Sequence, residues 1–271
     1  MLNISLVLYK PDCRQVRALV SELIKSSCVN HVYLIDNSPT KSEELAALGA
    51  SVTYHHNDGK NLGYGRGHNI AIRESVHDAV PFHLVMNADI EVKAEVIDYL
   101  HAFMSKNANV GIVMPRVTYP NGDIQYLCRL LPTPWDVFGR RFLPARWFRH
   151  RNQHYELRSS GYNKMMNVPY LSGCFMFMRT EAVLKARLFD ERYFMYPEDI
   201  DLTRTIHRDY LTLYLPDVTI VHNHARGSYK SWRLLGVHTV NMCRYFNKWG
   251  WFFDSERTLM NRLTLEQLSD K

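Results

Sequence analysis

The stretch Phe82-His83-Leu84-Val85-Met86 is a short, mainly apolar run that ends on Asn87-Ala88-Asp89, placing an amide and a carboxylate where a strand leaves a sheet. A run of that length suits a buried strand and is too short for a helix. Behind it, the spacing predicts a helix from about Asn69 to Ser75, led by the glycine-rich stretch Gly63 to Gly67. Further back come a strand over Ser51 to His55, a brief helical stretch over Glu43 to Leu48, and an apolar run His31 to Ile35 ending at Asp36-Asn37-Ser38-Pro39. The chain opens with a buried strand, Leu2 to Leu8, and a helix within Pro11 to Ser26, whose apolar residues Val16, Leu19, Val20, Leu23 and Ile24 share one face. A helix over Lys93 to Lys106 and a segment Val110 to Arg116 follow. Strands alternating with helices predict an α/β fold, a parallel sheet covered on both faces. Ligands of such sheets bind outside the carboxyl ends of the strands, which makes Asp36 and Asp89 the first site candidates.

Residues 119–165 change texture: they are rich in Pro, Arg and aromatics with weak periodicity, a long, partly irregular insertion. A strand resumes over Leu171 to Met178, then a short helix Glu181 to Ala186, a helix Asp199 to Arg208, strands Leu211 to Leu215 and Thr219 to His222, and a helical pattern from Ser231 to Phe253. A chain of 271 residues with 46% hydrophobic content supports one large core with a helical appendage. The five cysteines are scattered without a CxxC pair, which predicts reduced thiols and no cysteine zinc site. The opening residues lack the pattern of a signal peptide, and no run approaches the roughly eighteen apolar residues of a membrane span. The expectation is a cytoplasmic protein with at most peripheral membrane contact. A formal net charge of +6 suits an anionic partner without choosing one. Arginines and aromatics crowd together between Trp135 and Arg158, a surface suited to something both apolar and negative.

Four constellations carry chemistry. Asn61-Leu62-Gly63-Tyr64-Gly65-Arg66-Gly67-His68-Asn69 lets backbone approach a ligand and opens a helix whose amino end favours phosphate, or is simply a glycine turn; it is neither a Rossmann fingerprint nor a Walker loop. Asp89 at a strand end can reach a Mg2+ or Mn2+ bridging two phosphates, or serve as a turn residue. Glu198-Asp199-Ile200-Asp201 crowds three carboxylates at a helix start, which raises at least one pKa and yields a general base, assigned to Asp199; capping explains one carboxylate more easily than three. His222-Asn223-His224-Ala225-Arg226 follows a strand and can complete a metal site and hold phosphate oxygens.

Taken in order, these motifs resemble the inverting family-two glycosyltransferases of GT-A fold, in particular bacterial rhamnosyltransferases that build O-antigen and related cell-surface polysaccharides such as lipopolysaccharide. The likeness spans roughly residues 2–230 and includes Gly173 with Phe175-Met176, Phe189-Asp190-Glu191 and Phe194-Met195-Tyr196. It implies a Rossmann-like mixed, mostly parallel sheet flanked by helices. Residues 1–230 would form the catalytic domain, with a nucleotide-binding half over 1–116 and an acceptor half over 117–230 that carries the basic aromatic insertion near 130–165. A helical extension over 231–271 would follow.

The resemblance also assigns residues. Asp36 would contact the nucleoside; Asn61, Gly63, Asn87 and Arg226 would lie on the donor; Asp89 matches the last Asp of the family's Asp-x-Asp metal motif; Asp199 matches the base; and His222, less so His224, matches a histidine near metal and diphosphate. Glu198 and Asp201 would hold the helix start or bind acceptor hydroxyls. Asn87 departs from the family pattern, standing where many relatives carry the first Asp. The implied donor is dTDP-L-rhamnose, ahead of UDP-linked hexoses. The implied acceptor is a lipid-diphosphate-linked saccharide at the cytoplasmic face of the inner membrane, with nucleic acid set aside as a partner and a homo-oligomer left open. A nucleotidyltransferase fits less well, because it needs no base beside a sugar carbon, and retained Asp89 and Asp199 speak against a non-catalytic binding protein.

Overall fold

The computed structural model describes residues 1–139, 145–223 and 232–269. Its centre is a nine-stranded sheet with the strand path β3-β2-β1-β4-β10-β6-β11-β5 and β8 paired to β11. The strands are β1 (Leu2–Leu8), β2 (Val29–Asp36), β3 (Val52–His56), β4 (Phe82–Met86), β5 (Ile90–Glu91), β6 (Val110–Thr118), β8 (Met166–Asn167), β10 (Phe175–Arg179) and β11 (Leu211–His222), while β7 (Cys128–Arg129) and β9 (Tyr170–Leu171) form a small antiparallel pair beside it. The pairs β1–β2, β1–β4, β2–β3 and β6–β11 are parallel. β10 runs antiparallel between β4 and β6, so the sheet is mixed and mostly parallel. The expected single strand Leu171 to Met178 is therefore two, because the chain turns at Ser172-Gly173-Cys174 between β9 and β10. The two strands expected over 211–222 are one, kinked by a register shift between Leu215 and Thr219.

Helices α1 (Cys13–Leu23), α2 (Glu43–Ala46), α3 (Tyr64–His77), α4 (Ala94–Lys106), α5 (Ala145–Tyr155), α6 (Thr180–Lys185), α7 (Glu198–Ile206), α8 (Trp232–Trp249) and α9 (Ser255–Ser269) accompany the sheet. α1 starts where Asp12 accepts from the amides of Arg14 and Gln15, and it buries Val16, Leu19, Val20 and Leu23, the face expected from spacing. α3 begins at Tyr64, five residues before the expected start, because its glycines are helical. They are small for a packing reason: a Cβ on Gly65 would lie 2.9 Å from Phe189 Cβ, and one on Gly67 would lie 2.8 Å from Val7 Cγ2. Within the insertion, Trp135–Gly139 forms one π-helical turn and α5 follows, so that segment is less irregular than its composition suggests.

α8 and α9 follow the sheet, and their Met242, Tyr245, Phe246 and Met260 enter the same apolar cluster as the sheet. Among the described residues, no helix is long and apolar enough to cross a membrane.

Candidate active site

The directions of the strands bring distant residues to one edge. β1, β2, β4, β6 and β11 run the same way, so their carboxyl ends share that edge, and the antiparallel β10 contributes its amino end. Asp36 closes β2, Asn87-Ala88-Asp89 follows β4, Gly173 and Cys174 precede β10, and His222 closes β11. Two backbone bonds clamp these segments: the Asn87 amide donates to the Cys174 carbonyl at 2.9 Å, and the Asn223 amide donates to the Asp89 carbonyl at 2.9 Å.

That second clamp sets His222 beside the Asn87-Ala88-Asp89 turn. His222 Nε2 lies 3.2 Å from Asp89 Oδ1 and 3.4 Å from Asn87 Nδ2. His224 and Arg226 lie outside the described residues. Among the described residues, no three His, Cys, Asp or Glu side chains gather as a metal cluster. Asp89 and His222 nevertheless offer a carboxylate oxygen and an imidazole nitrogen within reach of one ion. Such a pair suits Mn2+ or Mg2+ when the remaining positions are taken by substrate phosphates.

Asp199 sits at the start of α7, 8% exposed. Its Oδ2 accepts from the Gly173 amide at 2.8 Å and its Oδ1 from the Ile200 amide at 2.8 Å. Burial raises its pKa, opposed by these two amides and by the charge of Arg129. Glu198, 4% exposed, has an Oε2 without a hydrogen-bond partner, and its pKa is raised first by burial and then by the charge of Asp199. Asp199 has the amide donors that stabilise an anion and Glu198 Oε2 has none, so Glu198 is the member that keeps a proton. Tyr64 ties α3 to this point by donating its hydroxyl to the Gly173 carbonyl.

Asp201, the third carboxylate, turns away. It accepts from Lys248 Nζ at 2.7 Å and from Trp249 Nε1 at 2.6 Å, docking α8 onto α7. It therefore ties α7 to the end of α8.

The other expected positions are structurally engaged. Asp36 Oδ1 accepts from the Ser38 amide at 2.8 Å and its Oδ2 from the Tyr54 hydroxyl at 2.6 Å. Tyr54 is pushed up to about 12, by burial first and by its bond to Asp36 next. Asn61 Oδ1 accepts from the Gly63 amide at 3.0 Å. Gly63 has φ +84°, and a Cβ there would run into the Phe194 backbone, so glycine is required by both conformation and space. The Tyr64 amide donates to the Phe194 carbonyl at 3.1 Å, which shows that the backbone brought close to this glycine turn is the protein's own.

Two residues escaped the sequence reading. Gln125, after β6, places its Oε1 2.9 Å from His222 Nδ1. Arg129, on β7, donates to the Tyr170 hydroxyl at 3.3 Å, lies over the Tyr170 ring, and leaves its buried Nε without a partner. Both occupy the stretch of weak periodicity, where spacing carries no signal.

Comparison with known proteins agrees with this architecture. The family model described as glycosyl transferase family 2 matches residues 17–186. An N-acetylglucosaminyl-diphospho-decaprenol L-rhamnosyltransferase of Mycobacterium tuberculosis is 27% identical over 248 residues, covering 84% of this chain and 78% of that protein. The low-salt glycan biosynthesis hexosyltransferase Agl10 of Haloferax volcanii is 26% identical over 227 residues, covering 82% and 67%. Among solved structures, GalNAc-T7 with UDP, GalNAc and Mn2+ superimposes with a TM-score of 0.64 at 16% identity, over 92% of this chain and 48% of that one, so the chain spans about half the length of that protein. The mannosyltransferase PcManGT from Pyrobaculum calidifontis with GDP-Man and Mn2+ gives a TM-score of 0.56 at 13% identity, over 90% of this chain and 64% of that one. These structures share the GT-A fold with this chain.

Proposed function

Since the chain belongs to glycosyl transferase family 2, we propose that it is an inverting transferase that moves L-rhamnose from dTDP-L-rhamnose to a hydroxyl of a lipid-diphosphate-linked saccharide in bacterial surface-polysaccharide synthesis. The observation that carries the reading is the antiparallel β10: its amino end holds Asp199 through the Gly173 amide and Asn87 through the Cys174 carbonyl, bringing a buried carboxylate and the Asp89–His222 pair to one edge. The choice of sugar and acceptor is supported by the mycobacterial relative, whose name states both a rhamnosyl product and a diphosphate-linked lipid.

Asp199 is the general base. It takes the proton of the acceptor hydroxyl as that oxygen forms a bond to the anomeric carbon, and the bond from that carbon to the diphosphate oxygen breaks on the opposite side. Asp89 and His222 would hold a divalent cation, which would neutralise charge on the diphosphate. Asp36, Asn61, Gly63 and Asn87 form the donor side. Residues 1–230 are the catalytic domain and 231–271 an extension that fixes α7.

The lipid-linked acceptor suits a peripheral membrane surface. Phe253 is 98% exposed and Phe252 70% in the turn between α8 and α9. This turn adjoins the π-helical segment, because Trp251 stacks on Phe138; Trp135 of that segment is exposed, as are Arg146, Trp147 and Arg149 on α5. Aromatics with basic neighbours favour an anionic interface.

Calorimetric titration with dTDP, UDP and GDP, with and without Mn2+, tests the donor. Selective, metal-enhanced binding of dTDP is expected. Selective binding of UDP would replace rhamnose with a UDP-hexose, and binding of none would overturn the reading.

A further inference from the structure

Gln125 is 5% exposed and reaches His222 from the end of β6, where its own amide donates to the Val117 carbonyl at 2.9 Å. Its side-chain Nε2 donates to the His222 carbonyl at 2.8 Å and to the Thr118 carbonyl at 3.3 Å. These two acceptors fix which way the amide faces, since the flipped amide would set Oε1 against two carbonyl oxygens. Oε1 is therefore the atom 2.9 Å from His222 Nδ1, and an amide oxygen there accepts only from a ring nitrogen that carries a proton.

We infer that Gln125 is a positioning residue that holds His222 with its proton on Nδ1 and so presents Nε2, beside Asp89, to the cation of a nucleoside diphosphate. The inference rests on the proposed metal role of Asp89 and His222. With the proton on Nδ1, Nε2 of the neutral ring carries the lone pair, and Asp89 Oδ1 lies 3.2 Å from it. Both atoms are then acceptors that one cation can share, with the Asn87 amide nitrogen 3.4 Å from Nε2. The outer nitrogen of a metal-bound histidine is usually held this way, and loss of that partner weakens metal binding about 10–100-fold. One amide here grips both the ring and the carbonyl of His222, so the side chain and its strand end are set together.

Two measurements on the full chain decide it without turnover. Nitrogen-15 spectra of the imidazoles, with His222 assigned by its loss in His222→Asn and recorded where the ring is neutral, are expected to show the proton on Nδ1; a proton on Nε2 overturns the inference. Electron paramagnetic counting of free Mn2+ in the presence of dTDP is expected to show about 10–100-fold weaker binding by Gln125→Leu. Wild-type binding with an indifferent Leu variant overturns the role of Gln125 alone. Absence of Mn2+ binding by the wild type, with dTDP, UDP or GDP, overturns the metal reading and the inference with it.

Discussion

The two ends of α7 treat buried charge in opposite ways. At the amino end, Glu198 and Asp199 are buried side by side, and among the described residues neither has a cation within ion-pair distance. At the other end, Arg204 is 1% exposed yet fully answered: it pairs with Asp254 at 2.8 and 2.7 Å, reaches Glu256 at 2.8 Å, and lies 4.1 Å from the centre of the Trp249 ring. A compensated buried charge anchors a helix, whereas an uncompensated one costs stability and gains reactivity. One short helix thus holds a carboxylate in an uncomfortable state because its far end is firmly tied.

Four substitutions test that contrast. Asp199→Asn should lower transfer on the order of 100–10,000-fold while donor binding persists, because it removes the base with little change of shape. Near-normal turnover would dismiss Asp199 as the base. Arg204→Met should strip Asp254 of its near cation, leaving it only Arg257 at 3.9 Å while Glu256 keeps Arg208, and reduce stability by about 3–5 kcal/mol, read from urea unfolding; an unchanged midpoint would show that the anchor lies elsewhere.

Arg129→Met should act more gently. The charge of Arg129 lowers the Asp199 pKa against the larger effect of burial, so removing it should move the acid limb of the kcat profile to higher pH. Below that limb Asp199 is protonated and cannot accept a proton, so the loss should grow as pH falls and vanish on the alkaline side. An unmoved limb would break the electrostatic link.

Glu198→Gln should do least near neutral pH, since glutamine imitates the protonated acid. Its effect on stability depends on pH. The folded state holds the Glu198 proton where the unfolded chain has released it, so wild-type stability falls as pH climbs from the ordinary carboxylate value to the raised one. Glutamine has nothing to ionise, and the variant's advantage in melting temperature should widen over that same range. A constant difference across pH would mean that Glu198 is not the proton holder.

Much of this was legible because it is local. The apolar faces of α1 and the runs of β1, β2 and β4 announce themselves by spacing, Asp89 stands out just after one of them, and Asp199 stands out in a crowd of carboxylates at a helix start. The direction of β10 was not legible, since an apolar run reads the same both ways. The start of α3 was misplaced because Gly65 and Gly67 are poor helix formers whose helical state is chosen by the approach of Phe189 and Val7. Gln125 and Arg129 lie in a segment without periodicity, and Gln125 meets its partner 97 residues away. Asp201 looked like its two neighbours, and only its contact with Lys248, 47 residues further on, separates it from them.

That last distance has a consequence for the order in which the protein is made. Asp201 and Arg204 take partners 41 to 52 residues downstream, after the final strand of the sheet has been synthesised. As chains emerge from the ribosome amino end first, the sheet can assemble while the helix bearing Asp199 still lacks its tether. A growing chain folded through His222 therefore still lacks the contacts from Lys248 and Asp254 that tie this helix in the finished protein.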